Sequence, residues 1–369
     1  MYREINIENN SQKLITMYIL DHVLIFFSIL AFYCFAILVL LNIVYFGILG
    51  FLFSLPYPLM KIFINMRINP LWFFLLLMLF FGSLFNLLIS QHGIGGVIVI
   101  FGSLSVAIFV LEHPQRMLIH SKIILLIMLA VYSHIIFIQE IDPNMIFEER
   151  SRNIVGMHIV FFTLFHAFLL YICKRKIMMI IPIFSLVLTV AMGRSSLFAV
   201  LLLVGINLFV FMKKKKYRFF VFIPFLIVTI IYFMPIIIQY YEYTKFFEQG
   251  IESARYDIWR DFFSNVNFFT FLWGMDTISV LITREDGNLH NDFINILART
   301  GMGFLAFFPV YLICIIKNIY FNKFYVLALL FVLSFRASFD NGAFTSGLGV
   351  ISYSLLLYPL FLNKNGLQK

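Results

Sequence analysis

The chain has 369 residues, 62% of them hydrophobic and 12% charged, with a mean hydropathy of +0.97. Soluble domains are roughly 45–50% apolar and about 25% charged, so a water-soluble globule is excluded. No alternating ten-residue segments point to a membrane β-barrel. The formal net charge of +9 comes mostly from loop lysines such as Lys213 to Lys216. Such lysines set membrane orientation and do not call for nucleic acid.

Taken in order, the elements read as membrane helices of an all-α polytopic protein. The stretch Met1 to Lys13 is polar and of mixed charge, so it is no cleavable signal and the first spans direct insertion. The apolar run Leu14 to Met60 is too long for one crossing and reads as two helices. Further spans follow at Leu71–Ser90, Ile94–Leu111, Ile123–Ile138, Asn153–Cys173, Met178–Met192, Leu197–Met212 and Phe219–Ile238. After a long polar loop come Phe304–Ile316, Phe324–Phe335 and Leu348–Leu362. About twelve spans result, with both termini in the cytoplasm when basic loops face inward. The expected organisation is a single integral membrane domain, 1–369, with a large outer loop at 239–299.

That threading separates the two basic residue types. Of 27 Lys and Arg residues, 18 fall inside, thirteen of them Lys. The outer nine are Lys245 and Arg150, Arg152, Arg194, Arg255, Arg260, Arg284, Arg299 and Arg336. Orientation needs positive charge inside but does not choose between Lys and Arg. An outer face that uses Arg suggests forked recognition of carboxylate or phosphate.

The outer loop is far longer than an ordinary connection. Its middle reads as an imperfect amphipathic helix. With Ile251 at zero and a step of about 100°, Ile258 and Phe262 fall within about 20° of it. Asp257 and Arg260 lie on the far side and Asp261 on the flank. Such a helix suits the membrane interface. Arg255 falls about 40° from the apolar centre, with Trp259 one turn on. An arginine aimed there is costly unless it finds an anion, either a lipid phosphate or a ligand phosphate.

His290 follows in Asn288-Leu289-His290-Asn291-Asp292, where the pattern turns helical. Asn291 is the expected N-cap, and Asp292 complements the positive helix end. Free N–H groups at that end can hold a phosphate and favour the neutral imidazole. Arg194 lies at the outer end of a span beside Ser195 and Ser196, a position that also fits a boundary arginine. His22, His92, His113, His120, His134, His158 and His166 form no metal-binding spacing and read as buried or interfacial polar groups. Cys34, Cys173 and Cys314 all lie in apolar segments, and no disulfide or CxxC pattern exists. No Walker, GxGxxG or GxSxG element appears.

Three segments then carry a resemblance: Gly193-Arg194-Ser195-Ser196-Leu197; Arg255 with Trp259 and Phe271-Leu272-Trp273-Gly274; and LHNDFINILARTGMG from Leu289 to Gly303. In this order they resemble the O-antigen polymerase and O-antigen ligase (Wzy/WaaL) superfamily, over roughly Met178 to Leu362. The closing glycines depart from the family pattern, with one residue between them where two are usual. The resemblance implies a glycosyltransferase of the GT-C-like type, without metal or cofactor, acting on undecaprenyl-pyrophosphate-linked glycans at the periplasmic face. Matched by position, Arg194 and Arg255 would hold the pyrophosphate, and His290 would act on the acceptor hydroxyl. Trp259, Asn291, Arg284 and Arg336 are further substrate-binding candidates. Membrane lipids and a chain-length regulator are the expected partners, and nucleic acid is not. The polymerase is the preferred reading; the ligase, which uses lipid A-core as acceptor, is the alternative. A polysaccharide flippase or other transporter is the alternative from another class; it would place charges at the bilayer midplane, whereas these spans are nearly free of them.

Overall fold

The computed structural model describes residues 2–41, 43–63, 70–88, 95–141, 145–146, 152–190, 192, 194–214, 254–277 and 289–362. Over these residues the chain is a bundle of α-helices without a β-sheet. In chain order these are α1 (Tyr2–Leu41), α2 (Val44–Ser54), α3 (Pro56–Phe63), α4 (Pro70–Asn86), α5 (Gly95–Glu112) and α6 (Pro114–Ser133). After them come α7 (Arg152–Lys174), α8 (Ile180–Val190), α9 (Arg194–Lys214), α10 (Ala254–Asn265) and α11 (Phe268–Trp273). The last are α12 (Asp292–Thr300), α13 (Met302–Tyr320), α14 (Phe324–Ala337) and α15 (Gly349–Leu357).

Six helices are long and apolar enough to cross a membrane, and five shorter apolar ones accompany them among the described residues. The chain is a multi-pass membrane protein. The expected span Phe219–Ile238 lies outside the described residues. The apolar run at the start divides as expected, with α1 packed against α2 across a break near Ile43.

Burial follows the composition of each helix. A helix that is apolar all round belongs in a protein interior or a bilayer. α7 is both: Val155, Ile159, Val160, Phe161, Leu164, Phe165, Phe168 and Leu169 are fully buried, and α6, α8, α9, α14 and α15 pack around it. Outer helices turn apolar side chains outward, including Phe26 on α1, Leu305 and Phe308 on α13, and Phe331 on α14. Such faces suit lipid. Several polar groups inside the bundle are paired, which offsets the cost of burying them away from water. His158 Nδ1 meets Tyr132 Oη at 2.9 Å and His166 Nδ1 meets Ser121 Oγ at 2.9 Å. Asn207 donates to Met178 O at 2.9 Å and accepts from Tyr325 Oη at 2.6 Å. His158 and His166 are therefore buried polar residues, as read from the sequence.

Two glycines bring the short outer helices onto the bundle. At Gly82 on α4, a Cβ would stand 1.9 Å from Thr300 O, so only glycine lets α12 lie this close. Gly274 ends α11 at φ 82°, and a Cβ there would stand 2.2 Å from Ala298 O. The turn is sealed by Met275 N–H donating to Ala298 O at 2.7 Å. Asn86 Nδ2, at the end of α4, donates to Trp273 O and Ala298 O at 3.0 and 3.1 Å.

Candidate active site

His290 stands just before α12, at a φ of 47°. A positive φ is uncommon away from glycine and persists only where the surroundings enforce it. Those surroundings are laid down on both sides of the histidine. Asn291 is the N-cap, as expected: its Oδ1 accepts from Phe293 N–H and Ile294 N–H at 3.0 and 3.2 Å. The Asn291 N–H donates to Asn341 Oδ1 at 3.1 Å. Asp292 is fully buried. Its carboxylate accepts from the N–H groups of Gly342 and Phe344, from Thr345 Oγ1 at 2.7 Å and from Asn295 Nδ2 at 3.2 Å. The start of α12 is thus stitched to the loop between α14 and α15.

That loop also brings a carboxylate to the histidine. Asp340 Oδ1 lies 3.9 Å from His290 Nδ1, outside hydrogen-bond length but within ion-pair distance. Asp340 Oδ2 accepts from Arg336 Nη2 at 3.0 Å. Arg336 is fully buried, and its other contacts reach two more helices. Its Nε donates to Ser196 Oγ at 3.1 Å and its Nη2 to Asn153 O at 2.9 Å. Ser196 lies in the first turn of α9, which begins at Arg194. Asn153 lies in the first turn of α7.

The third element is α10. Its apolar residues Ile258 and Phe262 are buried, as their common face predicts, but against Leu289, Leu297 and Ala298. Protein, and not only the membrane interface, closes this stripe. Phe263, with Phe268 and Phe269 of α11, remains exposed. On the polar side Arg260 pairs with Asp257 at 3.0 Å and approaches Asp261 at 3.8 Å. Trp259 Nε1 donates to Leu289 O at 2.8 Å, on the residue next to His290. Arg255 is one turn before Trp259 on the same helix.

One bridge therefore leads from the Arg194 helix toward His290: Arg336 is hydrogen-bonded to Ser196 and Asp340, and Asp340 approaches the imidazole at 3.9 Å. A second leads from the Arg255 helix, through Trp259 and Leu289. Arg194 and Arg255 lie in the first turns of α9 and α10. Of the other candidates, Asn291 holds the helix start, Trp259 holds the histidine's neighbour, and Arg336 is enclosed among helices. Arg284 lies outside the described residues.

Asp340 and Asn341 were not singled out in the sequence. A signal did exist: Arg336 and Asp340 are four apart, a pairing distance on a helix, and Asn341-Gly342 is a turn signature. Nothing local marked Asn86.

Residues 177–309 match the model of a family described as O-antigen ligase (Wzy_C). No curated protein and no solved structure matches the chain. The matched segment contains Arg194, Arg255 and His290 and ends before Arg336 and Asp340. It agrees with the resemblance to the polymerase and ligase superfamily and supports a membrane enzyme of that type.

Proposed function

From a family match centred on the segment that bears Arg194, Arg255 and His290, we propose that the chain is an O-antigen polymerase. It joins lipid-linked oligosaccharide repeat units on the periplasmic face of the inner membrane. The observation that carries this reading is the pair of bridges that bring the helix starts bearing Arg194 and Arg255 to the loop bearing His290. The departure at Gly301-Met302-Gly303 from the usual glycine spacing favours the polymerase over the ligase.

In this reading an acceptor sugar hydroxyl attacks the anomeric carbon of a donor glycan. The new glycosidic C–O bond forms as the bond to pyrophosphate breaks. Undecaprenyl pyrophosphate leaves with the bonding pair. Guanidinium groups of Arg194 and Arg255 stabilise the charge that develops on it, as fixed cations aimed at a leaving group can. His290 takes the hydroxyl proton. If Nδ1 carries the resting proton toward Asp340, Nε2 is left as the base, the division of labour seen wherever a carboxylate orients a catalytic imidazole. Arg336 is a positioning residue: it fixes Asp340 and ties it to the start of α9.

The test is polymerisation by purified protein and lipid-linked repeat units, without nucleotide or added metal. Ladders of increasing length are expected. Transfer only to lipid A-core would make the protein the ligase. Movement of the lipid-linked unit across the bilayer with no new glycosidic bond would make it a transporter. In cells, loss of a polymerase leaves lipopolysaccharide with a single repeat, whereas loss of a ligase leaves none.

A further inference from the structure

The elbow between α10 and α11 changes character within a few residues. The first half of α10 is charged, with Arg255, Asp257, Arg260 and Asp261. From Phe262 to Met275 there is no charged residue and no histidine, but there are five phenylalanines and a tryptophan. The apolar side chains of this stretch do not all face one way. Ile258 and Phe262 form the stripe that protein closes. Phe263 stands about 100° further round the helix, on the flank opposite Asp257 and Asp261. It is 54% exposed, and Phe268 and Phe269 at the start of α11 are 71% and 64% exposed.

The elbow is firmly built and firmly placed. Asn267 Oδ1 accepts from Thr270 N–H and Asn267 N–H donates to Thr270 Oγ1, both at 3.2 Å, which caps α11. α11 packs on α4, α12 and α13. The Trp273 ring meets Phe85 edge to face, with centroids 4.9 Å apart. Phe85 and Asn86 end α4, and the apolar span that contains α4 stops at Leu88. α11 is therefore held at one end of that span. The adjoining helices also turn apolar side chains outward: Phe81, Leu84 and Leu88 on this span, Leu305 and Phe308 on α13. Exposed apolar patches of this kind mark contacts with protein or with a membrane.

We infer that the α10–α11 elbow inserts Phe263, Phe268 and Phe269 into the lipid leaflet that borders the candidate site, with the charged half of α10 left in water. The partner is the bilayer itself, at the boundary between headgroups and acyl chains, where short helices with aromatic faces settle. Two observations select this occupant. The elbow continues the apolar surface that α4 and α13 turn to lipid, and its charges stop at Asp261, just before the exposed phenylalanines. The contact is distinct from the stripe of Ile258 and Phe262, and it does not depend on glycan transfer.

The test uses the full-length protein in liposomes of phosphatidylethanolamine and phosphatidylglycerol. Phe263→Cys, Phe268→Cys and Phe269→Cys each carry a nitroxide, and Asp261→Cys is the aqueous reference. Cys34 and Cys314 are buried and Cys173 is half-buried, so label on the unsubstituted protein is the background to subtract. Collisions with oxygen, which concentrates in lipid, are compared with collisions with a nickel chelate, which stays in water. The ratio of oxygen to nickel collisions at 263, 268 and 269 is expected to be several times that at 261. Free collision with nickel at these positions places the elbow in water and overturns the inference. Low collision with both reagents means that protein covers it, whether a second copy or another segment of this chain, and overturns it equally. The three side chains are exposed, so the melting temperature should be unchanged; should one variant fail to fold, the other two decide.

Discussion

His290 and Asp340 define the chemistry at the residue scale, and Arg336 defines how firmly they are held. Breaking a buried ion pair by removing one partner costs about 3–5 kcal/mol, because the other charge is left unpaired. Arg336→Ala is therefore expected to lower stability by about that amount, read as loss of folded protein by size-exclusion in detergent. Arg336→Lys separates folding from positioning. It keeps a charge near Asp340 but loses the fork that spans Ser196, Asn153 and Asp340. The protein should remain inserted while kcat falls and KM changes little. Asp340→Asn should lower kcat by roughly 10²–10⁴ if the carboxylate orients the imidazole. An unchanged kcat would remove Asp340 from the mechanism. Arg194→Ala, Arg255→Ala and His290→Ala should each abolish polymer while leaving the protein in the membrane, measured by glycan ladders alongside protein level. Arg194→Lys should also be strongly impaired if its phosphate contact is bidentate.

At the element scale, α12, nine residues long, anchors the segment that bears His290. A helix this short is marginal by itself, so it relies on its cap, its buried carboxylate and the fit of α4 and α11. Asn291→Ala removes the cap acceptor for two N–H groups and should cost about 1 kcal/mol. The same change would loosen the histidine that precedes it. Gly274→Ala should do more damage, because the added methyl meets Ala298 O and the φ of 82° disfavours a side chain. More than about 2 kcal/mol is expected, read as a lower melting temperature. The amphipathic pattern of α10 was legible in the sequence, since helical spacing places Ile258 and Phe262 on one face. What the face would meet was not legible. An apolar stripe fits lipid and protein equally well, and here Leu289, Leu297 and Ala298 are the partners.

For the whole molecule, the topology is testable by labelling. Asp261→Cys, on α10, and Lys176→Cys, after α7, should react with impermeant thiol reagents from opposite sides of the membrane. Reaction from the same side would break the threading on which the outer arginines depend. The apolar runs alone determined that the chain is a helical membrane protein, because a polar backbone in lipid has few other ways to satisfy its hydrogen bonds. Spacing alone also predicted the cap at Asn291, since capping is decided within three residues. Only the tertiary structure decided that Asp340 faces His290, that a buried Arg336 joins the starts of α7 and α9, and that Arg299 meets the start of α5. These contacts bridge 50, 140 and about 200 residues of sequence. No local pattern encodes them, for they follow from which helices pack side by side, and nearly uniform apolar surfaces leave that choice to shape.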